Sequence, residues 1–472
     1  MMALFRSINM KKILSIFLIS SLFLFSCNED DSPKGGGTPL PTNPTDPPKT
    51  YTDPEIVEMV QKDALKYFWD YAQSNSKLAR ERYHTDNPGQ DAHVVSTGGS
   101  GFGLMTILVG IKNGYVTRTD AVSRLSTALN FLQSANRFHG AWPHWMDGNT
   151  GNVIPFSTKD NGGDLVETAF LAQGLICVRE YFKNSTDATE LAISKKADDL
   201  WKGIEWNWYT QGQNVLYWHW SPNYNFDMNH QLRGFDETLI TYVLAAASPN
   251  YAIEKTVYTE GWARSGAIKT SASQYGIPLI VNHNGANGTV GPMFWSHYSF
   301  LGLDPRGLRD DYVNYGDAVV NHSKIMYQYC VTNPKSWQGY NSKSWGLTAS
   351  YSRNPQTGGD DYAAHQPNND LGIISPTAAI SDMPYTPTES MNFLRFLYNE
   401  NYKKYIGVAG PYDAYSVHYN WVTPRYLAID QGTIAPMVEN HRSAFLWQLF
   451  MNAPDVKQGL LKLGFHSTQY GF

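Results

Sequence analysis

Three carboxylates, two glycines and the start of an apolar run share the ten residues Lys159-Asp160-Asn161-Gly162-Gly163-Asp164-Leu165-Val166-Glu167-Thr168. If a helix begins near Asp164, that side chain and Glu167 lie on one face, because residues three and four apart are neighbours on a helix surface. Asp160 then joins them from the incoming loop. Carboxylates meeting beside aromatic rings suit carbohydrate cleavage, in which one carboxylic acid protonates the leaving oxygen and a second carboxylate activates water or attacks carbon. A structural alternative uses the same residues: Asp164 caps the helix, Glu167 reaches back to it, and Asp160 fills a turn.

Two further segments repeat the theme. Arg233-Gly234-Phe235-Asp236-Glu237-Thr238 follows an aromatic stretch and opens an apolar run. Asp236 has the type and place of an N-cap, leaving Glu237 to face a ligand, and surrounding rings would raise a carboxyl there toward acid duty. Ile429-Asp430-Gln431-Gly432, continuing to Glu439-Asn440, runs acid, glycine, helix, acid. Each segment is also a legitimate helix start. Trp142, Trp145, Trp218, Trp220 and Trp295 sit in loops rich in Pro, His and Gly rather than at helical spacing, so sugar stacking and packing are both open to them. His144, Arg233, Asp236, His297 and Glu439 complete the candidate sugar contacts. As catalysts, lone histidines such as His219, His230, His297 and His365 are weak candidates.

Other chemistries have little support. No Gly-x-Ser-x-Gly elbow and no His-Glu-x-x-His pair occurs, and Thr97-Gly98-Gly99-Ser100-Gly101-Phe102-Gly103 lacks the Gly-Lys end of a phosphate cradle. A net charge of −5 without long runs of one sign provides no basic stripe for nucleic acid. Cys177 and Cys330, in apolar helical contexts, read as buried free thiols, and neither they nor an EF-hand type loop implies a metal. No metal and no cofactor is expected. The 14 Trp and 30 Tyr exceed what a core needs, and the surplus should line a groove.

The elements that must position these groups are mostly helices. Apolar spacing of three and four predicts helices from Asp53-Pro54 to about Ser74, and at about 102–112, 118–136, 164–183, 188–203, 236–247, 306–331, 376–381, 387–399, 433–450 and 454–463. A closed ring of helix pairs accommodates them. A hairpin is expected from Ala141–Met146 to Asn152–Phe156 about Asp147-Gly148-Asn149-Thr150-Gly151, and a strand over Val215–Trp220. Ahead of all this, Lys11-Lys12 and the apolar run Ile13–Phe25 read as an export signal, complete even if Met10 is the start. Leu24-Phe25-Ser26-Cys27 resembles a bacterial lipobox, which implies lipid on Cys27; an ordinary cleaved signal is the alternative. Residues 28–53 are too polar to bury a core and read as an unstructured tether, leaving 54–472 as one catalytic domain, expected to be a monomer. Asn28-Glu29-Asp30-Asp31 resembles the surface-export signals of Bacteroidetes lipoproteins, so the expected address is the outer membrane, on its periplasmic or outer face.

Ser96-Thr97-Gly98-Gly99-Ser100-Gly101-Phe102-Gly103, Asp160 to Thr168, Gly234-Phe235-Asp236-Glu237 and Asp430-Gln431-Gly432 together resemble the bacterial glucoamylase-like domain, most closely glycoside hydrolase family 144, the β-1,2-glucanases. That resemblance covers nearly everything after about residue 54. It implies an (α/α)6 toroid with short β-hairpins at its active end, and hydrolysis of linear β-1,2-glucan to sophoro-oligosaccharides, with inversion. It also implies Glu237 as the acid and Asp430 as the base, with Asp160, Asp164 and Glu167 needed for activity or for holding sugar. Hydrolysis of another glucan, a non-catalytic surface glycan binder and a polysaccharide lyase are the competing expectations. Spacing of acids does not distinguish linkages.

Overall fold

Two kinds of helix alternate along the chain, separated by how far round their surfaces the apolar residues reach. Among the residues that the computed structural model describes, 50–472, the α-helices are α1 (Asp53–Trp69), α2 (Thr97–Lys112), α3 (Arg118–Ser134), α4 (Leu165–Phe182), α5 (Ala188–Lys202), α6 (Leu239–Ala247), α7 (Tyr315–Thr332), α8 (Pro376–Ser381), α9 (Pro387–Arg395), α10 (Tyr402–Tyr405), α11 (Ala428–Ser443), α12 (Phe445–Met451) and α13 (Pro454–Leu463). The export signal, Cys27 and nearly all of the tether lie outside the described residues. None of these helices is long and apolar enough to cross a membrane. Helices α2, α4, α6, α8 and α11 are buried on almost every side, the first three being apolar nearly all round. By contrast α3 buries a single stripe, Ala121, Leu125, Ala128, Leu129 and Leu132.

The buried helices form an inner wall. α2 packs on α4, α4 on α6, α6 on the 3-10 turn Tyr298–Phe300, and α8 on α11, which returns to α2 and closes the ring. His297 joins the 3-10 segment to the end of α8 through a 2.8 Å contact with Asp382. The amphipathic helices α1, α3, α5, α7 and α9 lie outside, giving an (α/α)6 toroid with only short strand pairs in its loops. Close crossing is built into α2: a Cβ on Gly101 would stand 2.3 Å from the Phe170 carbonyl oxygen, so only glycine lets α2 and α4 touch backbone to backbone.

The first turns of the inner segments are cross-linked at one end of the ring. Gly98 N–H donates to Glu167 at 2.7 Å, Ser299 Oγ to the Glu237 carbonyl at 2.5 Å, Tyr298 OH to Asp430 at 3.2 Å and Thr377 Oγ1 to the Asp430 carbonyl at 2.7 Å. Loops running from outer to inner helices therefore all emerge where the acids are.

Several expected boundaries shift. α2 begins at Thr97 rather than 102, because Ser96 caps it by accepting the Gly99 N–H at 3.1 Å and the glycines pack as helix. The helix expected from 306 starts at Tyr315, since Asp310 draws the amides of Tyr312 and Val313 into a turn. The helix expected at 433–450 is two: α11 starts at Ala428, putting Asp430 inside its first turn, and Ala444 at φ 55° separates it from α12. The hairpin forms as Trp145–Asp147 against Val153–Ile154, whereas the strand expected over 215–220 contracts to His219–Trp220, paired with Gly163–Asp164. Cys177 and Cys330 are buried free thiols.

Candidate active site

Asp164 ends the incoming strand and caps α4, and its carboxylate is saturated with donors. Oδ1 accepts the amides of Val166 and Glu167 at 3.0 and 2.8 Å, and Oδ2 accepts His144 Nδ1–H at 2.9 Å and the Trp218 indole N–H at 3.0 Å. Burial opposes its charge, but the His144 hydrogen bond and the charges of His144 and His219 hold the carboxyl below its ordinary value. Burial likewise opposes a charge on His144, yet Glu167, Asp164 and Asp160 together raise it to about 10. Asp160, also buried, places Oδ2 3.4 Å from His219 Nε2 and 3.6 Å from His144 Nδ1, while its Oδ1 has no partner among the described residues.

His144, Asp160 and Asp164 offer ligand atoms within 4.8 Å of one another, a grouping of a size that could hold a cation. The hydrogen bonding fits an ion pair better: the His144 nitrogen facing Asp164 carries a proton, and both Asp164 oxygens already accept two N–H groups. Glu167 does not reach back to its own cap. It accepts the Gly98 amide of the neighbouring helix α2, and burial lifts it to about 7, with Asp164 adding to the effect against His144.

Thr238, not Asp236, precedes α6. Asp236 shapes the turn by accepting Thr238 N–H at 3.0 Å and Thr238 Oγ1–H at 2.6 Å on one oxygen, and Asn284 Nδ2–H at 2.7 Å on the other. Burial raises its carboxyl to about 6 against those bonds. Glu237 is half-buried, and its carboxyl is hydrogen-bonded by its own backbone amide. Burial, Asp236, Glu167 and Asp164 all lift its carboxyl well above the usual range, against the hydrogen bond from its own amide, and so favour the protonated form that a general acid needs.

Across the ring Asp430 accepts the Tyr298 hydroxyl, at 3.2 Å on Oδ1; among the described residues Oδ2 has no donor. Burial and the adjacent carboxyl of Asp413 push it well above its ordinary value. Tyr298 rests on Phe102 and Phe170, ring centres 5.3 and 5.5 Å away, and burial together with Asp430 and Glu237 keeps its phenol protonated. Asp413 is a site residue that sequence reasoning missed. It lies in a loop between the short strands Gly410–Pro411 and Tyr415–Ser416, with no helix start after it, and its signal is flanking by Tyr412 and Tyr415. It accepts the Tyr351 amide at 2.6 Å, and burial raises it to about 6. Tyr362, across the hairpin from Tyr351, is 48% exposed and within electrostatic reach of Asp413 and Asp430.

The structure thus gathers Asp160, Asp164, Glu167, Glu237 and Asp430 at one end of the ring, with His144 and Trp218 bonded to Asp164. Half-buried Trp145 and stacked His144 flank Phe156, at 4.9 and 4.1 Å between ring centres. Trp220 is half-buried against His139. Arg233 is turned along its loop to Gln231 and the Glu260 carbonyl.

Four expected contacts stand apart. Trp142 is fully buried, its indole N–H on the Leu132 carbonyl and Arg137 packed over its ring, so it offers no face to sugar. Trp295 packs in the core beside His283, and His297 is buried in its pair with Asp382. Glu439, nine residues after Asp430, lies about 14 Å further along α11 at ~1.5 Å per residue. There it pairs with Lys112 and Arg442, and despite burial the bonds from Lys112, Ser443 and Asn113 hold it down to about 2. A polar hollow of about 660 Å³ lined by Arg306, His441, Arg442 and Tyr470 adjoins that end and contains none of the acids.

A family model described as "Putative glucoamylase" matches residues 229–454. The chain is 52% identical to the endo-β-1,2-glucanase of Chitinophaga pinensis solved with sophorotriose and glucose, with a TM-score of 0.85 over 88% of this chain and 99% of that one. A structure from Bacteroides caccae described in the same words as the family model is 49% identical, with a TM-score of 0.85 over 88% of this chain and all of that one (100%). The exo β-1,2-glucooligosaccharide sophorohydrolase of Parabacteroides distasonis is 41% identical over 433 residues, and the chain, matched over 87% of its length, spans 58% of that curated relative.

Proposed function

The chain belongs to the bacterial glucoamylase-like family, which includes the β-1,2-glucanases, and from that we propose that it is a glycoside hydrolase cleaving linear β-1,2-glucan to short sophoro-oligosaccharides with inversion. Glu237 protonates the leaving oxygen and Asp430 draws a proton from the attacking water. Asp160, Asp164 and Glu167 hold hydroxyls of the sugar beside them. The observation that carries this reading is the meeting of acids from three distant segments at one end of the ring, where burial and neighbouring carboxyls raise Glu237 while the hydrogen bond and charge of His144 lower Asp164.

Incubation with linear β-1,2-glucan should release new reducing ends, and starch should not. No release from either substrate overturns the hydrolase, and release from starch alone overturns the linkage. Proton NMR of the first-formed anomer reads the stereochemistry, and early product lengths separate internal cutting from end-wise release. A binder without catalysis would bind the glucan and keep its affinity in Glu237→Gln and Asp430→Asn; an unsaturated, ultraviolet-absorbing product would mark a lyase.

The same reading extends to location: a monomer held on the outer membrane by lipid on Cys27. Its support is the Leu24-Phe25-Ser26-Cys27 sequence followed by the polar stretch 28–53. Cys27→Ser should move the protein from membrane to soluble fractions, and unchanged membrane association overturns the anchor.

A further inference from the structure

A base must be ionised to take a proton from water, yet burial and a second carboxyl both press Asp430 toward its neutral form. Among the described residues each of these carboxyls has one orphan oxygen, Asp413 Oδ1 and Asp430 Oδ2, buried and without a donor, and the two side chains lie within hydrogen-bonding reach of each other. Two bare carboxylates cannot stand so close, whereas one proton between them satisfies both orphan atoms and leaves a single negative charge. The outer oxygens are already held, Asp413 Oδ2 by the Tyr351 amide at 2.6 Å and Asp430 Oδ1 by the Tyr298 hydroxyl at 3.2 Å. The other ionisable groups facing the pair are Glu81 and Arg82, bound to each other on the neighbouring strand segment, and Tyr351 and Tyr362 on the hairpin. At Asp413 the charges of Arg82 and Glu81 act in opposite directions, Arg82 lowering the carboxyl and Glu81 raising it.

We propose that Asp413 and Asp430 share one proton and act as a single base, Asp413 being the positioning residue that takes up the shared proton when Asp430 receives one from water. The inference rests on Asp430 as base in the hydrolysis proposed above. As the water oxygen bonds to the anomeric carbon, its proton passes to Asp430 Oδ1 and the shared proton settles on Asp413 Oδ1. The glycosidic bond breaks with its electron pair on the leaving oxygen, which takes the proton of Glu237. The pair ends neutral and returns one proton to solvent.

Asp413→Asn is nearly isosteric and keeps an acceptor for the Tyr351 amide and a donor for Asp430, but cannot carry the mobile proton. It should lower kcat by about 100-fold at near-native KM. The double variant with Asp430→Asn should be no slower than Asp430→Asn alone. At neutral pH, the infrared carbonyl band of a protonated carboxylic acid should weaken equally in Asp413→Asn and in Asp430→Asn, because either change dissolves the pair. Native kcat in Asp413→Asn, additive losses in the double variant, or an unchanged infrared band in either single variant overturns the pair. If Asp413→Asn does not fold, Asp430→Asn decides by its band alone. The infrared arm needs no substrate, so wild-type protein that releases no sugar defeats the hydrolase reading while leaving the shared proton to be judged separately.

Discussion

Asp164 and Asp430 occupy comparable places, one capping an inner helix and the other in the first turn of one, and both are buried to within 2%. Their charge states part company. Asp164 receives four N–H donors and is surrounded by His144 and His219, whereas Asp430 receives one hydroxyl and faces another carboxyl. Burial alone therefore does not decide whether a carboxyl ionises; the count and kind of neighbours does. One side of the ring fixes a charge in place, and the other keeps a proton in play.

The largest effect expected from this contrast is on turnover. Glu237→Gln and Asp430→Asn should each reduce kcat on β-1,2-glucan by about 10³-fold with circular dichroism unchanged, within the range general acid–base catalysis supplies. Retention of a tenth of the activity in either would erase the distinction between the two corners. Stability should respond in the opposite place. Asp164→Ala strands a charged His144 and three N–H groups and should cost about 3–5 kcal/mol in denaturant unfolding, whereas Asp430→Asn, which removes a poorly satisfied carboxyl, should unfold at or above the wild-type midpoint.

A pH dependence sharpens the comparison further. Glu167 is raised to about 7 in the folded protein from an ordinary 4.5, so the native state binds more protons than the unfolded chain between those values. Its contribution to stability is complete below 4.5 and is lost as pH rises toward 7. Thermal midpoints measured at steps across that window should fall less steeply in Glu167→Gln, and identical slopes would show that the group does not titrate there. Glu439→Gln should give the smallest catalytic change: native kcat, with a loss of stability of about 1–3 kcal/mol from its broken contacts to Lys112 and Arg442. A slowed Glu439→Gln would return that residue to the site.

The acid-bearing helix starts were legible because a carboxylate at the head of an apolar run is a local signal, and Asp164, Glu237 and Asp430 carry it without help from distant residues. The toroid was legible from helix succession and from the joint motifs of the family. Asp413 was not, since its importance arises only when a loop near the C-terminal end lays it against Asp430 and the Tyr351 amide. Burial of Trp142 and Trp295 was equally hidden: a tryptophan in a Pro- and His-rich loop looks the same whether its ring faces a ligand or another helix. Glu439 misled through periodicity, because an acid further along the same helix is on the same molecule but at another end of the ring. The helix was expected only from about 102 since helix propensity counts against the glycines at the start of α2, while close approach to α4 favours them.

That close approach constrains how the protein could be re-engineered. At Gly98 an added methyl would stand 2.7 Å from the Glu167 carboxylate, and at Gly101 it would collide with the main chain of the next helix, so these two positions on the inner wall have no room for a side chain. Attempts to retune preference for chain length or linkage should leave that wall untouched and graft new connectors between the outer and inner layers, where Tyr362 and the Trp145 hairpin already stand.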